Sequence, residues 1–231
     1  DIRRDLLGWG ASGIVGDYDN NGIDFLQAKL ATNARWVPVL ETFDRYGRSR
    51  GAAAAVLLNF KGFYAGSNWA YCGIENLDLC PDPTGPGAQA LQDMARFLVR
   101  GVYLQAVTLQ NRLLRAGERL EVHAVVRNTG RRAQTVRVAL AVGPAGRSGM
   151  PCAATRELTV KPGQSQSIRV ELAPADGDVS LGQVLATLSA GDEPIDQLAT
   201  GYVVERPEVI RSGADLRFSA NYFTRNGRPT F

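Results

Sequence analysis

The sequence predicts a mostly-β chain with a minor helical part: a β-meander with one covering helix, followed by an antiparallel β-sandwich. From about Gln105 to Val204, apolar and polar residues alternate with a period of two. Turn residues return there about every ten positions, and helical periodicity is absent from that stretch. Such alternation is typical of strands with one buried face.

The sandwich prediction rests on repeated strand-and-turn units. Leu120, Val122, Ala124 and Val126 point to one side of a predicted strand, and the turn 128–130 (Asn-Thr-Gly) follows. About six or seven short strands in roughly a hundred residues is the number expected for an immunoglobulin-like sandwich. The Cys…Trp…Cys pattern of antibody domains does not occur, since only Cys152 falls in this stretch.

Three regions are expected along the chain. Residues 1–103 form a β-rich domain with a helix at about 88–100, residues 104–206 form the immunoglobulin-like sandwich, and residues 207–231 form a linker and a terminal β-hairpin. The meander strands are predicted at Trp36–Phe43, Gly51–Phe60 and Tyr64–Ile74, with a bulge or a second turn at 66–68 in the third. The predicted helix has an apolar face at helical spacing and ends at Gly101; this face comprises Leu91, Met94, Ala95 and Leu98.

Composition excludes several classes of partner. The net charge is +3, from 26 basic and 23 acidic residues, and no run of Lys or Arg occurs. We therefore expect no nucleic-acid partner. No apolar run reaches the length of a membrane span, so no span is predicted. Because the chain begins at Asp1 and ends within a predicted hairpin, we expect it to be a segment of a longer protein. The sequence leaves its compartment open, and a secreted or periplasmic location is favoured over the others.

No catalytic residue is predicted within the chain. The single histidine, His123, lies on the polar face of a predicted strand, and no G-x-S-x-G motif occurs. A nucleophile–base pair or a zinc site would have to combine His123 with Cys72, Cys80 or Cys152, and nothing in their spacing favours that. Cys72 and Cys80 either form a disulfide across a short loop or are buried free thiols.

One loop resembles the opening of a calcium site. Asp17, Asp19 and Asn21 occupy the first, third and fifth positions, with Gly22 at the sixth. This spacing lets short oxygen-bearing side chains converge on a hard cation. The twelfth position is Ala28, where a bidentate Glu is needed. The alternative is an Asp/Asn/Gly turn with no cofactor.

Aromatic residues crowd the end of the predicted meander. Four residues are candidates for carbohydrate contact, with the rings stacking on sugars and the amide orienting them; these are Tyr64, Asn68, Trp69 and Tyr71. The alternative is that most of these rings belong to the hydrophobic core.

Two stretches resemble known protein families. The segment 114–130 and the later turn "VKPGQS" resemble bacterial immunoglobulin-like modules, which implies a fold and no particular activity. The closing "FTRNGRPTF" resembles the element that opens the catalytic barrel in glycoside hydrolase family 2 and other β-galactosidase-type enzymes, where it also follows an immunoglobulin-like sandwich. The block 44–79, beginning "DRYGRSRG", is similar to the β-rich end of a domain that precedes the sandwich in multidomain bacterial glycosidases.

The resemblance implies a non-catalytic accessory region of a multidomain bacterial glycoside hydrolase. The catalytic carboxylates would then lie on barrel strands beyond Phe231. The implied partners are carbohydrate and the rest of the same polypeptide, and an oligomer is compatible with this. The alternative function is a surface or periplasmic binding or adhesion module without hydrolase activity.

Overall fold

The computed structural model describes most of the chain from residue 34 onward. The described residues are 34–43, 45–46, 49–61, 64–73, 84–115, 117–145, 149–175, 181–205, 211, 213, 216–219, 222–226 and 228–230. Within them the chain is mostly β, with several antiparallel sheets and one α-helix, which confirms the predicted fold class.

The first sheet is an antiparallel meander of three strands in chain order. Its strands are β1 (Ala34–Phe43), β2 (Ser49–Asn59) and β3 (Asn68–Cys72). The prediction that the third strand begins at Tyr64 is wrong, because residues 64–66 form a turn. Gly66 has a φ of +89° there, a conformation that favours glycine.

One helix, α1 (Pro86–Arg100), covers a face of this sheet. Pro86 lies in its first turn, and Gly101 ends it in the left-handed conformation at φ 66°. The buried helix residues are Gly87, Ala90, Met94 and Phe97, with Leu91 and Leu98 partly buried. The buried face of the helix is therefore rotated relative to the predicted one. Phe97, which was not predicted on that face, packs into the core, and Ala95 is exposed.

Two sheets pack face to face to form the sandwich. One has the order β4-β6-β9, and the other has the order β5-β11-β10-β7-β8. Their strands are β4 (Val102–Leu109), β5 (Leu113–Leu114), β6 (Leu120–Asn128), β7 (Gln134–Pro144), β8 (Cys152–Val160), β9 (Ser165–Leu172), β10 (Leu181–Ala190) and β11 (Glu193–Val204).

The sandwich core follows the predicted alternation. Leu120, Val122, Ala124 and Val126 of β6 are buried, and the residues between them are only partly so. They pack against the buried residues of β7, β10 and β11 from the facing sheet. Short β5 pairs in parallel with β11, so the chain crosses from one sheet to the other soon after β4. This is an immunoglobulin-like arrangement.

A small antiparallel sheet lies near the end of the chain. It contains β12 (Leu216–Ser219), β13 (Tyr222–Arg225) and β14 (Arg228–Thr230). Asn226, in the turn between β13 and β14, has a φ of 50°. β13 and β14 therefore form a hairpin within residues 207–231, where the sequence predicts a linker and a terminal β-hairpin. Phe231, the last residue of that region, lies outside the described residues.

Among the described residues, no helix is both long and apolar enough to cross a lipid bilayer.

Candidate functional site

The turn before β3 is fixed by hydrogen bonds to Asn59 at the end of β2. The Gly66 amide donates to the Asn59 carbonyl oxygen over 2.8 Å, and the Asn59 amide Nδ2 donates to the Ser67 carbonyl oxygen over 2.9 Å. The Ser67 hydroxyl closes the turn by donating to the Tyr64 carbonyl oxygen over 2.6 Å. Asn59 is buried, so the turn is anchored to the sheet.

Three of the predicted carbohydrate-contact residues lie on the surface. Tyr64, Trp69 and Tyr71 are 54%, 45% and 57% exposed, respectively. The Tyr64 and Trp69 rings meet edge to face, with centroids 4.8 Å apart and an interplanar angle of 68°. Such a pair holds each ring in one orientation. We call these three residues the aromatic surface.

Strand register explains why the aromatic surface is exposed. Trp69 lies opposite Leu57 and Tyr71 opposite Ala55, whereas Val56 and Leu58 of β2 belong to the core under α1. Since neighbouring residues in a strand point to opposite faces, Trp69 and Tyr71 point away from the helix. Among the described residues, β3 is also the edge strand of its sheet, so no further strand pairs with it on the side away from β2.

Asn68 occupies the other face of the strand. Its amide Nδ2 donates to the Thr129 hydroxyl over 2.8 Å, and Thr129 follows β6 of the sandwich. The Asn68 Oδ1 atom is buried and has no hydrogen-bond partner among the described residues. The structure therefore brings the three aromatic candidates together and directs Asn68 toward the sandwich.

One further aromatic residue, Trp36, lies on the same face and was not among the predicted contact residues. Trp36 of β1 lies opposite Leu57, which in turn lies opposite Trp69. Trp36 is partly buried and extends the aromatic surface across the sheet. The strand register could have identified Trp36. Pairing the first two predicted strands so that Trp36 lies opposite Leu57 places it on the same face as Trp69.

The described residues contain no nucleophile–base pair built on the histidine. His123 lies in β6, between Thr108 and Arg169 of the neighbouring strands. Cys72 and Cys152 lie in two other sheets. Both cysteines are free and exposed, so for Cys72 the structure shows neither the predicted disulfide nor the alternative, a buried free thiol. Cys80 lies outside the described residues.

Metal ligands are also not assembled in this part of the chain. Among the described residues, no group of three or more His, Cys, Asp or Glu side chains comes together. Asp17, Asp19 and Asn21, the predicted calcium ligands, lie outside the described residues.

Comparisons with known proteins give partial likenesses to solved structures. No family model matches the sequence, and no curated protein matches it. A β-glucosidase from Erythrobacter marinus is 20% identical at a TM-score of 0.36, over 45% of this chain and 15% of that enzyme. A CARDB domain from Pyrococcus furiosus, solved with di-metal ions, is 11% identical at a TM-score of 0.35, over 45% of this chain and 85% of that one.

A third likeness is to a β-glucuronidase from glycoside hydrolase family 2. It is 9% identical at a TM-score of 0.32, over 56% of this chain and 13% of that enzyme. The structural neighbours thus include glycoside hydrolases and an isolated CARDB domain. At these scores and coverages they assign neither a family nor an activity to this chain.

Proposed function

We propose that this chain is a non-catalytic accessory region of a multidomain bacterial carbohydrate-active enzyme, and that it contacts carbohydrate through the aromatic surface. The observation that carries this proposal is the exposure of Trp69 and Tyr71 on the edge strand β3, together with Tyr64 in the turn before it. Aromatic rings stack on the apolar faces of sugars, and stacking gains most when the rings are held in place beforehand. Here the turn bonds to Asn59 position Tyr64, and its edge-to-face contact with Trp69 stabilises these two rings.

The accessory role is supported by what the described residues contain and by the sequence resemblance. The single histidine stands apart from both described cysteines, on a different sheet from either. The Asn-Gly hairpin that follows the sandwich resembles the entry to a glycosidase barrel. Catalytic carboxylates are therefore expected on a following domain of the parent enzyme.

Binding of this chain to a panel of oligosaccharides, followed by titration calorimetry, tests the carbohydrate contact. Trp69→Ala is expected to weaken binding about tenfold, which corresponds to about 1.4 kcal/mol. Tyr46→Ala is the matched control, because Tyr46 is 65% exposed but lies in the turn between β1 and β2. No binding to any oligosaccharide, or equal losses in both variants, would overturn the carbohydrate contact.

Hydrolysis of aryl glycosides tests the accessory role. We expect turnover by the protein extended along its natural gene and none by this chain alone. Turnover by this chain would show that it is catalytic. If neither protein hydrolyses any substrate while the chain still binds sugars, the binding or adhesion module becomes the better assignment.

A further inference from the structure

A groove rich in arginine lies where the end of α1 meets the turn between β6 and β7. Its volume is about 950 Å³, and its lining includes four arginines and three apolar helix residues. The arginines are Arg96, Arg100, Arg131 and Arg132. We call it the arginine groove.

The fold brings these arginines together from two distant stretches. Arg96 and Arg100 are four residues apart on α1, which places them on one side of the helix. Arg131 and Arg132 follow Gly130 in the β6–β7 turn. The turn is fastened to the helix end, because the Thr129 amide and hydroxyl both donate to the Gly101 carbonyl oxygen, over 2.7 and 2.9 Å.

A buried asparagine fixes the shape of the turn. Asn128 is fully buried; its amide Nδ2 donates to the Arg132 carbonyl oxygen over 2.8 Å, and its Oδ1 accepts from the Gly130 amide over 2.8 Å. The backbone that carries Arg131 and Arg132 is therefore held in one conformation before any ligand arrives.

The charge in the groove is only partly neutralised. Arg96 pairs with Asp93 at 3.0 Å, and Arg100 pairs with Glu193 at 2.7 Å. Arg100 lowers the pKa of the Glu193 carboxyl below its usual range. Arg131 and Arg132 are exposed and form no ion pair with the described residues. None of the described residues that line the groove is acidic.

The arginine groove meets β3 on the face opposite Trp69 and Tyr71. Thr129, which lines the groove, accepts the hydrogen bond from Asn68, and Asn68 is the neighbour of Trp69 in β3. A ligand that crosses this edge of the sheet meets rings on one side and guanidinium groups on the other. Repeating sugar rings that carry anionic groups match this combination better than an acidic peptide does, because a peptide without aromatic or apolar side chains has no partner for the rings.

We propose that the arginine groove binds the anionic groups of an acidic glycan whose sugar rings contact the aromatic surface. This inference rests on the proposed function and names its ligand class. The planar guanidinium fork matches a carboxylate with two parallel hydrogen bonds, and it binds a sulfate ester by the same chemistry. Arg131 and Arg132 bind the anion, while Arg96 and Arg100 remain partly engaged with Asp93 and Glu193.

The test compares an oligogalacturonate with its methyl-esterified, uncharged counterpart by titration calorimetry at low salt. We expect the acidic form to bind at least tenfold more tightly than the ester. Arg131→Gln/Arg132→Gln is expected to abolish this preference by weakening binding of the acidic form more than binding of the ester. The charge-matched control, Arg156→Gln/Arg169→Gln, changes two exposed arginines on β8 and β9 and is expected to keep the preference.

The outcomes separate this inference from the proposed function. Equal binding of the acidic oligosaccharide and the ester overturns the inference and leaves the carbohydrate contact intact. Failure of every oligosaccharide to bind overturns both. A sulfated oligosaccharide of equal charge that binds more tightly than the uronate assigns the anion as sulfate. Binding of poly-glutamate as tightly as the uronate, with Trp69→Ala changing neither, overturns the glycan in favour of an acidic peptide.

Discussion

Arg35 and Asp196, which are 161 positions apart in the sequence, form a two-point ion pair with both side chains buried. The Arg35 Nη2 atom donates to Asp196 Oδ1 over 2.7 Å, and Nη1 donates to the other carboxylate oxygen. The same guanidinium group donates to the carbonyl oxygens of Leu104 and Gln197. The Leu104 amide also donates to Asp196 Oδ2, over 2.7 Å.

This pair links the first sheet to the sandwich. Arg35 belongs to β1, Leu104 to β4 and Asp196 to β11. Charges taken out of water are tolerated only when their hydrogen-bonding atoms find partners, and nearly all of them do so here. Both sheets must therefore be correctly placed for either charge to be satisfied.

Removal of one partner of this pair is expected to be strongly destabilising. Asp196→Ala leaves the Arg35 charge buried and uncompensated, and we expect a loss of about 3–5 kcal/mol in the free energy of unfolding. Urea denaturation measures this. Glu171→Ala is the control: its partner Arg119 is 3.7 Å away and both side chains are exposed, so a change within about 1 kcal/mol is expected. If Asp196→Ala is as mild as the control, the buried pair does not form in solution.

Local patterns in the sequence predicted much of this fold. Alternation in 120–126 specified β6 because period-two burial is a property of neighbouring residues. The pattern also predicted the covering helix, although it placed Ala95 on the buried face where the structure buries Phe97. Whether Ala95 or Phe97 is buried depends on the shape of the sheet that the helix packs against. The spacing of apolar residues within the helix carries no information about that sheet.

Features that join distant stretches were not predictable in this way. In the sequence, Arg35 precedes the apolar residues of β1 and would be expected at an exposed strand end. In the structure it is buried, because Asp196 of a distant strand pairs with it. The arginine groove likewise combines residues of α1 with residues of the β6–β7 turn. The exposure of the aromatic surface follows from β3 being an edge strand, and only the sheet order determines that.

Tyr103 is expected to lower the stability of the protein at high pH. It is fully buried, and burial raises its pKa from 10.0 to about 12, opposed by Arg127 and Arg35. Between pH 10 and 12 the unfolded chain loses this proton and the folded chain keeps it, so the free energy of unfolding falls as the pH rises. Because the pKa of Tyr103 is about two units higher in the folded chain, the free energy of unfolding should fall by about 2–3 kcal/mol across this pH range.

Tyr103→Phe tests the origin of that loss. The Tyr103 hydroxyl has no hydrogen-bond partner of normal geometry among the described residues, so its removal is expected to cost little at neutral pH. The variant should lose less stability than the parent between pH 10 and 12. Tyr46→Phe, at an exposed tyrosine, should behave like the parent. Identical alkaline profiles for the parent and Tyr103→Phe would contradict the assignment.

Gly101→Ala is expected to lower the free energy of unfolding more than Gly163→Ala, although the two glycines share a left-handed backbone conformation. Gly101 and Gly163 have φ values of +66° and +69°. A Cβ atom on Gly101 would lie 2.7 Å from the Gly130 amide nitrogen, whereas nothing lies within 4 Å of one on Gly163. Gly163→Ala should therefore cost about 1–2 kcal/mol, from the left-handed backbone alone. Gly101→Ala should cost about 1–3 kcal/mol more, because the helix end must move away from the β6–β7 turn.

Gly130→Ala separates the close contact from the backbone strain. Gly130 does not have a positive φ, but its Cβ atom would lie 2.8 Å from the Arg100 carbonyl oxygen. We expect a loss of about 1–3 kcal/mol in urea denaturation, with an unchanged dependence on denaturant concentration. The contact between Gly101 and Gly130 also holds Arg131 and Arg132 beside α1. Gly101→Ala and Gly130→Ala should therefore both reduce the preference for the acidic oligosaccharide. Gly163→Ala should retain that preference. Equal stability losses for Gly101→Ala and Gly163→Ala would show that the helix end and the turn are not in close contact in solution.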